Sequence, residues 1–87
     1  MKADKKTVIR LLNTAKGQID GIINMINEDK YCIEVSNQIL SSIAILKRAN
    51  IEILDAHLNS CVINANTKEE KEEKMLEISE LLKKVIK

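Results

Sequence analysis

The stretch from Tyr31 to Ile63 contains neither proline nor glycine, and this absence of helix breakers constrains the fold more than any other feature of the sequence. Apolar residues recur along it at intervals of three and four, which predicts one long α-helix. They form two adjacent rows: Cys32, Val35, Ile39, Ile43, Leu46, Ile53, His57 and Cys61, beside Ile33, Leu40, Ala44, Ile51, Leu54, Leu58 and Val62. An apolar side this broad exceeds what one partner helix covers, so we expect other subunits to cover part of it.

Two further helices flank this one. Apolar spacing predicts a helix over residues 5–27, a polar turn before the long helix at 31–63, and a third helix over 67–86. Thr67 followed by Glu70 fits a capping box at the start of the third helix. Hydrophobic residues make up 45% of the chain, with no Trp or Phe and one Tyr, which is typical of a helix bundle. The sequence predicts a single all-α domain over residues 1–87.

The small size of the chain favours assembly. With 87 residues, it buries too little surface for a large core, and small domains are stabilised by oligomerisation, disulfides or metals. No secretory signal or membrane-spanning segment is recognisable, so we expect a cytoplasmic protein without a membrane partner. In that reducing compartment, two cysteines are expected to be ligands or redox sensors rather than a structural disulfide.

The charge of the chain is nearly balanced. Lys and Arg number 14 against 13 Asp and Glu, for a net charge of +1, which is not typical of a non-specific nucleic-acid binder. DNA binding remains compatible with this balance if basic and acidic residues lie on separate surfaces. The basic residues Lys5, Lys6 and Arg10 lie near the start of the chain, and Lys47 and Arg48 lie together in the middle.

His57 and Cys61 are the residues with the clearest chemistry. Their i, i+4 spacing places both on one face of a helix, one turn apart, although such a pair alone is more often part of a core than a metal site. Cys32 lies 25 residues before His57 on the same helix, about 37 Å away at 1.5 Å per residue, so the two cannot share a ligand within one chain. If two such helices pack antiparallel, Cys32 of one subunit lies beside His57 and Cys61 of the other.

Two thiolates and one imidazole form a soft, three-coordinate set. Soft thiolate ligands favour copper(I), with zinc as the competitor. Structural zinc normally takes four protein ligands, and these three are the only Cys and His residues in the chain. A carboxylate could complete a zinc site, so zinc stays open, including as a metal bound in vitro.

Five segments resemble the CsoR/RcnR family of bacterial metal- and thiol-responsive transcriptional repressors, and the similarity covers nearly the whole chain. They are Ala15-Lys16-Gly17-Gln18-Ile19-Asp20-Gly21-Ile22, Asp29-Lys30-Tyr31-Cys32-Ile33-Glu34-Val35, Gln38, Arg48-Ala49-Asn50 and His57-Leu58-Asn59-Ser60-Cys61-Val62. The resemblance implies antiparallel dimers that form four-helix bundles and pair into homotetramers. It also implies an apo form that binds operator DNA and represses genes for copper handling.

The resemblance also assigns roles to individual residues. Cys32, His57 and Cys61 match the ligand set of the copper-sensing branch, with Cys32 supplied by the other subunit. Tyr31 and Glu77 match the residues to which that branch couples the metal-bound histidine. Copper(I) binding is then expected to convert the tetramer to a form with poor DNA affinity, a coupling that must be reciprocal between metal and DNA.

One departure from the family concerns DNA binding. Many members carry an arginine six residues before the glycine of the Gly-Gln motif, where this chain has Leu11, preceded by Arg10. We expect Arg10 to substitute for it or the DNA footprint to differ. Arg48 matches another basic position that the family uses for DNA. Further candidates for phosphate contacts are Lys5, Lys6, Lys16 and Lys47.

Three other functions were weighed. A persulfide-sensing repressor would link Cys32 and Cys61 across subunits through sulfur, without a need for His57, Tyr31 or Glu77. A helical assembly protein that does not bind DNA would simply bury both cysteines. An enzyme is the least supported, because the Cys–His pair has no third orienting group and no glycine-rich oxyanion loop.

Overall fold

A computed structural model describes residues 3–62 and 66–86 of the chain. This part consists of α1 (Lys5–Asn27), α2 (Cys32–His57), a π-helix (Leu58–Val62) that continues α2, and α3 (Lys68–Ile86), without a strand among the described residues. The predicted all-α class is therefore confirmed. The long second helix, predicted as one element over 31–63, is α-helical to His57 and then changes to i→i+5 hydrogen bonding.

The start of α1 and the turn that follows it have local causes. The Asp4 carboxylate accepts hydrogen bonds from the Lys6 backbone N–H at 3.2 Å and from the Thr7 hydroxyl at 2.7 Å, which satisfies the free end of the helix. After α1, Asp29 adopts a positive φ of 54°, a conformation that Asp and Asn tolerate better than most residues. This turn reverses the chain, so that α2 runs back along α1.

The start of α3 is a variant of the predicted capping box. The Glu70 backbone N–H donates to the Thr67 hydroxyl at 3.0 Å, as the motif requires. The Glu70 carboxylate accepts instead from the Asn66 backbone N–H at 3.2 Å, one residue before the expected donor. Two free N–H groups are still satisfied, and they fix where α3 begins.

The interface between α1 and α2 holds most of the core. Its buried residues are Ala3, Val8, Leu11 and Ala49, with Ile45, Ile53 and Ala56 packed against them. The Ser42 hydroxyl, which is buried, donates to the side-chain oxygen of Gln18 at 2.9 Å across the same interface. These contacts set an antiparallel hairpin in which Gln18 is level with Ser42 and Leu11 is level with Ala49.

Helix α3 packs along the C-terminal half of α2, on the side away from α1. Leu54 and Ile78 are buried there, and they line a small hollow together with Ile51, Asp55, Leu58 and Leu82. Further along, Leu81 and Val85 line a second hollow with Ile43 and Leu46 of α2. The N-terminal half of α2 therefore lies beyond the reach of α3.

The three helices form one flat layer. The chain measures 57 × 27 × 11 Å, and the shortest dimension is about the diameter of a single helix. Its radius of gyration is 17.1 Å, against about 12 Å for a compact domain of this length. Its accessible surface of 6721 Å² exceeds the roughly 5,200 Å² expected for a compact monomer of this mass. One layer cannot bury both of its sides, so the fold requires a partner.

No helix in the described ranges, 3–62 and 66–86, has both the length and the apolarity needed to cross a membrane.

Candidate metal centre and nucleic-acid face

Cys32 and His57 lie at the two ends of α2, as its first and last residues. Over this helix of 26 residues, their α-carbons are about 37 Å apart. Among the residues that the structure describes, no three His, Cys, Asp or Glu side chains of one chain come together as a metal site. The structure therefore does not bring these two candidate ligands together within one subunit.

Both residues nevertheless lie on the same side of the chain. Apolar residues recur at intervals of three, four and seven along this side of α1 and α2, and we call the set the apolar face. It comprises Leu12, Ile19, Ile26, Cys32, Ile39, Ile43, Leu46 and His57. Ile26 of α1 lines one hollow of about 390 Å³ with Cys32 and Ile39 of α2, which shows that the two helices present these rows to the same side.

The apolar face is largely uncovered. Leu12, Ile19, Ile39, Ile43 and Leu46 are each 41–44% exposed, and Cys32 is also exposed. His57, near the end of α3 that follows the π-helix, is half-buried. A second layer packed on this face would bury the aliphatic side chains and enclose both candidate ligands.

The third candidate ligand, Cys61, follows His57 in the π-helix Leu58–Val62. Its side chain lies outside the part of the chain that the structure describes. Single π-helical turns within or after α-helices occur often at functional sites. The sequence spacing of four residues keeps Cys61 within one turn of His57 along the backbone.

Tyr31 and Glu77 are far apart within one chain. Tyr31 is the residue that precedes α2, and its side chain is exposed and makes no capping hydrogen bond. Glu77 lies in α3 next to Ile78, which packs near the C-terminal end of α2. The Glu77 carboxylate is exposed and 3.9 Å from the Lys74 ammonium. Glu77 is thus near the His57 end of α2, whereas Tyr31 is near the Cys32 end.

The opposite side of the α1–α2 hairpin is polar. Helical spacing of about 100° per residue places exposed polar residues of both helices there, and we call this set the polar face. It comprises Lys6, Arg10, Thr14, Ser41, Arg48 and Glu52. Lys6, Arg10 and Thr14 line a surface hollow on α1, and Arg48 is nearly level with Arg10 in the register of the hairpin.

The other basic candidates lie elsewhere. Lys5 and Lys16 are about 120–140° from Arg10 around α1, towards the apolar side. Lys47 lies in the groove between α2 and α3, where it lines a hollow with Lys84, a residue that sequence reasoning missed. Leu11, at the position of the family arginine, is 3% exposed and packs against α2, so it cannot contact DNA in this fold.

Comparisons with known proteins agree with this architecture. A family model described as "metal-sensitive transcriptional repressor" matches residues 4–84. The chain therefore belongs to the family of metal-sensitive transcriptional repressors, which are not enzymes. The resemblance to the CsoR/RcnR family is confirmed.

Individual relatives sense copper. The chain is 37% identical to the copper-sensing transcriptional repressor CsoR of Mycobacterium tuberculosis over 65 residues, which is 75% of this chain and 55% of that protein. It thus spans about half the length of this relative. It is 30% identical to the copper-sensing repressor CsoR of Bacillus subtilis over 84 residues, which is 97% of this chain and 83% of that protein.

Two solved structures have the same fold. The copper-sensing repressor CsoR with Cu(I) from Geobacillus thermodenitrificans aligns with a TM-score of 0.81 and 26% identity, over 100% of this chain and 94% of that one. The nickel-responsive regulator InrS aligns with a TM-score of 0.78 and 27% identity, over 98% and 96%. One fold in this family therefore serves sensors of different metals.

Proposed function

We propose that this protein is a copper(I)-sensing transcriptional repressor that binds operator DNA in the apo form and releases it when the metal binds. The observation that carries the proposal is the position of Cys32 and His57 at opposite ends of α2, on one exposed apolar face. A site that needs both residues requires a second subunit. As a DNA-binding regulator, the protein acts in the cytoplasm.

The assembly follows from the shape of the chain. Two copies that stack their apolar faces, with their α2 helices antiparallel, form a four-helix bundle of α1 and α2 from each subunit. This arrangement buries the exposed leucines and isoleucines of the apolar face, each worth about 1.5–3 kcal/mol when fully buried. It also creates two equivalent sites, each with Cys32 from one subunit and His57 and Cys61 from the other. The family resemblance implies that such dimers pair into homotetramers.

The chemistry of this donor set fits copper(I). Two thiolates and a neutral imidazole are soft ligands, and copper(I) prefers them over the nitrogen and oxygen sets favoured by nickel or cobalt. The ion is a regulatory ligand, which supplies bonds between the two subunits rather than reactivity. Zinc, which prefers four ligands, is expected to bind in vitro only with help from a carboxylate or water.

The coupling to DNA resides in the residues around the ligands. Histidine ligands usually donate their second ring N–H to a neighbouring oxygen, and Tyr31 and Glu77 are the proposed partners of His57. Glu77 reaches that end of α2 from α3, and Tyr31 reaches it only from the partner subunit. Metal binding would thereby fix the position of α3 and of the partner's α2 relative to His57. The same free energy that weakens DNA binding must weaken metal binding when DNA is bound.

The operator contact is proposed for the polar face. Lys6, Arg10 and Arg48 are exposed there at similar levels of the hairpin, and the side chains of Lys and Arg supply most contacts to phosphates. Lys5, Lys16 and Lys47 lie at its margins and add positive potential around the contact. Because the metal ligands lie on the apolar face, DNA and metal occupy different surfaces, as allosteric coupling requires.

Reactive sulfur is the second candidate inducer, and the exposed Cys32 thiol favours it. A sulfane-sulfur donor, acting as the oxidant, would join Cys32 and Cys61 of two subunits through one or more sulfur atoms. The role of His57 separates the two inducers, because a sulfur bridge does not require an imidazole. A helical assembly protein without DNA binding conflicts with the family to which the chain belongs.

The test is an anaerobic copper(I) titration of the reduced protein against a competing chelator, with Cys32→Ala in parallel. We expect tight uptake of one ion per chain, lost in Cys32→Ala. Ser36→Ala is the matched control, because Ser36 lies one turn further along α2 and lines the same hollow. Equal uptake by Cys32→Ala and Ser36→Ala would refute the copper site.

A DNA measurement completes the test. Duplexes selected from a random pool by the apo protein serve as the labelled probe in an anisotropy assay. We expect copper(I) to weaken their binding at least tenfold in the parent protein and in Ser36→Ala, and to leave binding by Cys32→Ala unchanged. If His57→Ala releases DNA on addition of a persulfide but the parent ignores copper(I), the inducer is reactive sulfur.

A further inference from the structure

A second uncovered apolar surface lies at the edge of the helical layer. It consists of Ile33 and Leu40 of α2 and Leu76 of α3, which we call the edge strip. These side chains are 55%, 60% and 65% exposed, more than the 41–44% of the aliphatic residues on the apolar face. Exposed aliphatic residues that line up in a strip mark an interaction surface more often than isolated ones do.

The edge strip faces a different direction from the apolar face. Ile33 and Leu40 are seven residues apart on the side of α2 opposite α1, about 100° around the helix from Ile39. On this side α3 covers only the C-terminal half of α2, where Leu54 contacts the α3 region near Ile78. Leu76 precedes Ile78 by two residues, which turns its side chain about 200° away from the side that packs on α2.

Pairing through the apolar face gathers these residues. This step rests on the proposed dimer, in which Cys32 lies beside His57 of the partner subunit. Because Ile78 packs near Leu54, three residues before His57, Leu76 of the partner subunit then lies level with the segment between Ile33 and Leu40. Stacking two layers face to face with antiparallel helices leaves both α3 helices on the same side. The two edge strips therefore form one patch, on the two-fold axis of the dimer.

The excess surface of the chain is larger than one interface removes. Each chain exposes 6721 Å², about 1,500 Å² more than a compact monomer of its mass. A standard interface buries about 800 Å² per partner. One interface of this size leaves roughly half of the excess exposed, which a second interface of similar size would remove.

We infer that the edge strip is the surface through which two dimers of this chain pair into a tetramer. The occupant of the patch is a second copy of the same patch, because a two-fold axis joins like surfaces and closes the assembly. The contact lies outside the apolar face that carries Cys32 and His57. Tetramer formation is thus separable from assembly of the metal site.

Adjacent residues of α2 provide the test. Leu40→Glu places a charge on the edge strip, and Ile39→Glu places the same charge on the apolar face. Both side chains are exposed within one chain, so neither change disturbs the packing of the subunit itself. Sedimentation equilibrium gives the assembly mass relative to the 9.8 kDa chain, and the copper(I) titration gives the number of sites. Leu76→Glu tests the same strip from α3.

We expect the parent to sediment as a tetramer. Leu40→Glu and Leu76→Glu should sediment as dimers with half that mass, each keeping one copper(I) per chain, while Ile39→Glu should fall to a monomer without tight copper binding. A parent dimer, or a tetramer that survives both edge substitutions, would overturn this inference and leave the metal site standing. A parent monomer, or edge variants that lose copper binding together with the tetramer, would also overturn it, the monomer refuting the proposed dimer as well.

Discussion

The hydrogen bond between Ser42 and Gln18 gives the most direct prediction about the energetics of the fold. The Ser42 hydroxyl donates to the Gln18 side-chain oxygen at 2.9 Å, and it links α1 and α2 across 24 residues of sequence. Ser42 is 4% exposed, whereas Gln18 is half-buried. The two partners therefore differ in whether water can replace the lost bond.

This difference sets the size of each effect. In Ser42→Ala the Gln18 oxygen can turn to water, so we expect a loss of about 1 kcal/mol in the free energy of unfolding. In Gln18→Met the buried Ser42 hydroxyl keeps no side-chain acceptor, and we expect a loss of about 1–3 kcal/mol. The double variant should lose less than the sum of the two, because the hydroxyl that lacks an acceptor is then also absent.

The assay is denaturation by guanidinium, followed by circular dichroism at a single protein concentration. The concentration is fixed because assembly contributes to apparent stability. Ser41→Ala is the matched control, since Ser41 is the neighbouring residue and is exposed; we expect it to change stability by less than about 0.5 kcal/mol. If Ser42→Ala and Ser41→Ala unfold at the same midpoint, the buried hydrogen bond does not hold the hairpin in register.

Two further predictions concern α3 and the polar face. Thr67→Ala should cost about 1 kcal/mol and reduce the helical circular dichroism signal, because the Glu70 N–H loses its acceptor; an unchanged signal would show that the cap is dispensable. Arg10→Ala should weaken DNA binding and lower the slope of log affinity against log salt by about 1, since one phosphate contact is lost. Lys16→Ala, on another side of α1, should change that slope less, and equal slopes would refute the polar face as the DNA contact.

The sequence predicted the helical class and failed on one detail of the long helix. Apolar spacing and the absence of proline identify helices because both reflect local geometry, and the all-α fold is confirmed. The change from α- to π-helix after His57 has no breaker residue to mark it. It occurs next to the start of the connection to α3, where packing outside the helix determines the hydrogen bonding. Local patterns carry no information about such packing.

The candidate site was predictable in composition but not in arrangement. Cys32, His57 and Cys61 were identified by residue type, and helix length alone excluded a site within one chain. The separation of Arg10 from Lys47 was not predictable, because it depends on which side of α2 receives α3. The burial of Leu11 and the bond between Gln18 and Ser42 likewise depend on the register of the α1–α2 hairpin, which long-range packing sets.

The central claim is that each metal site combines residues of two subunits, and mixing two inactive variants tests it most directly. Cys32→Ala and His57→Ala are unfolded together, refolded as a 1:1 mixture and titrated anaerobically with copper(I), beside each variant alone. A mixed dimer has one intact site, with Cys32 from one chain and His57 and Cys61 from the other. The account predicts no tight site in either variant and recovery of about one ion per four chains in the mixture, as random pairing of two-fold dimers gives. A mixture that binds no more copper(I) than the separate variants would contradict it.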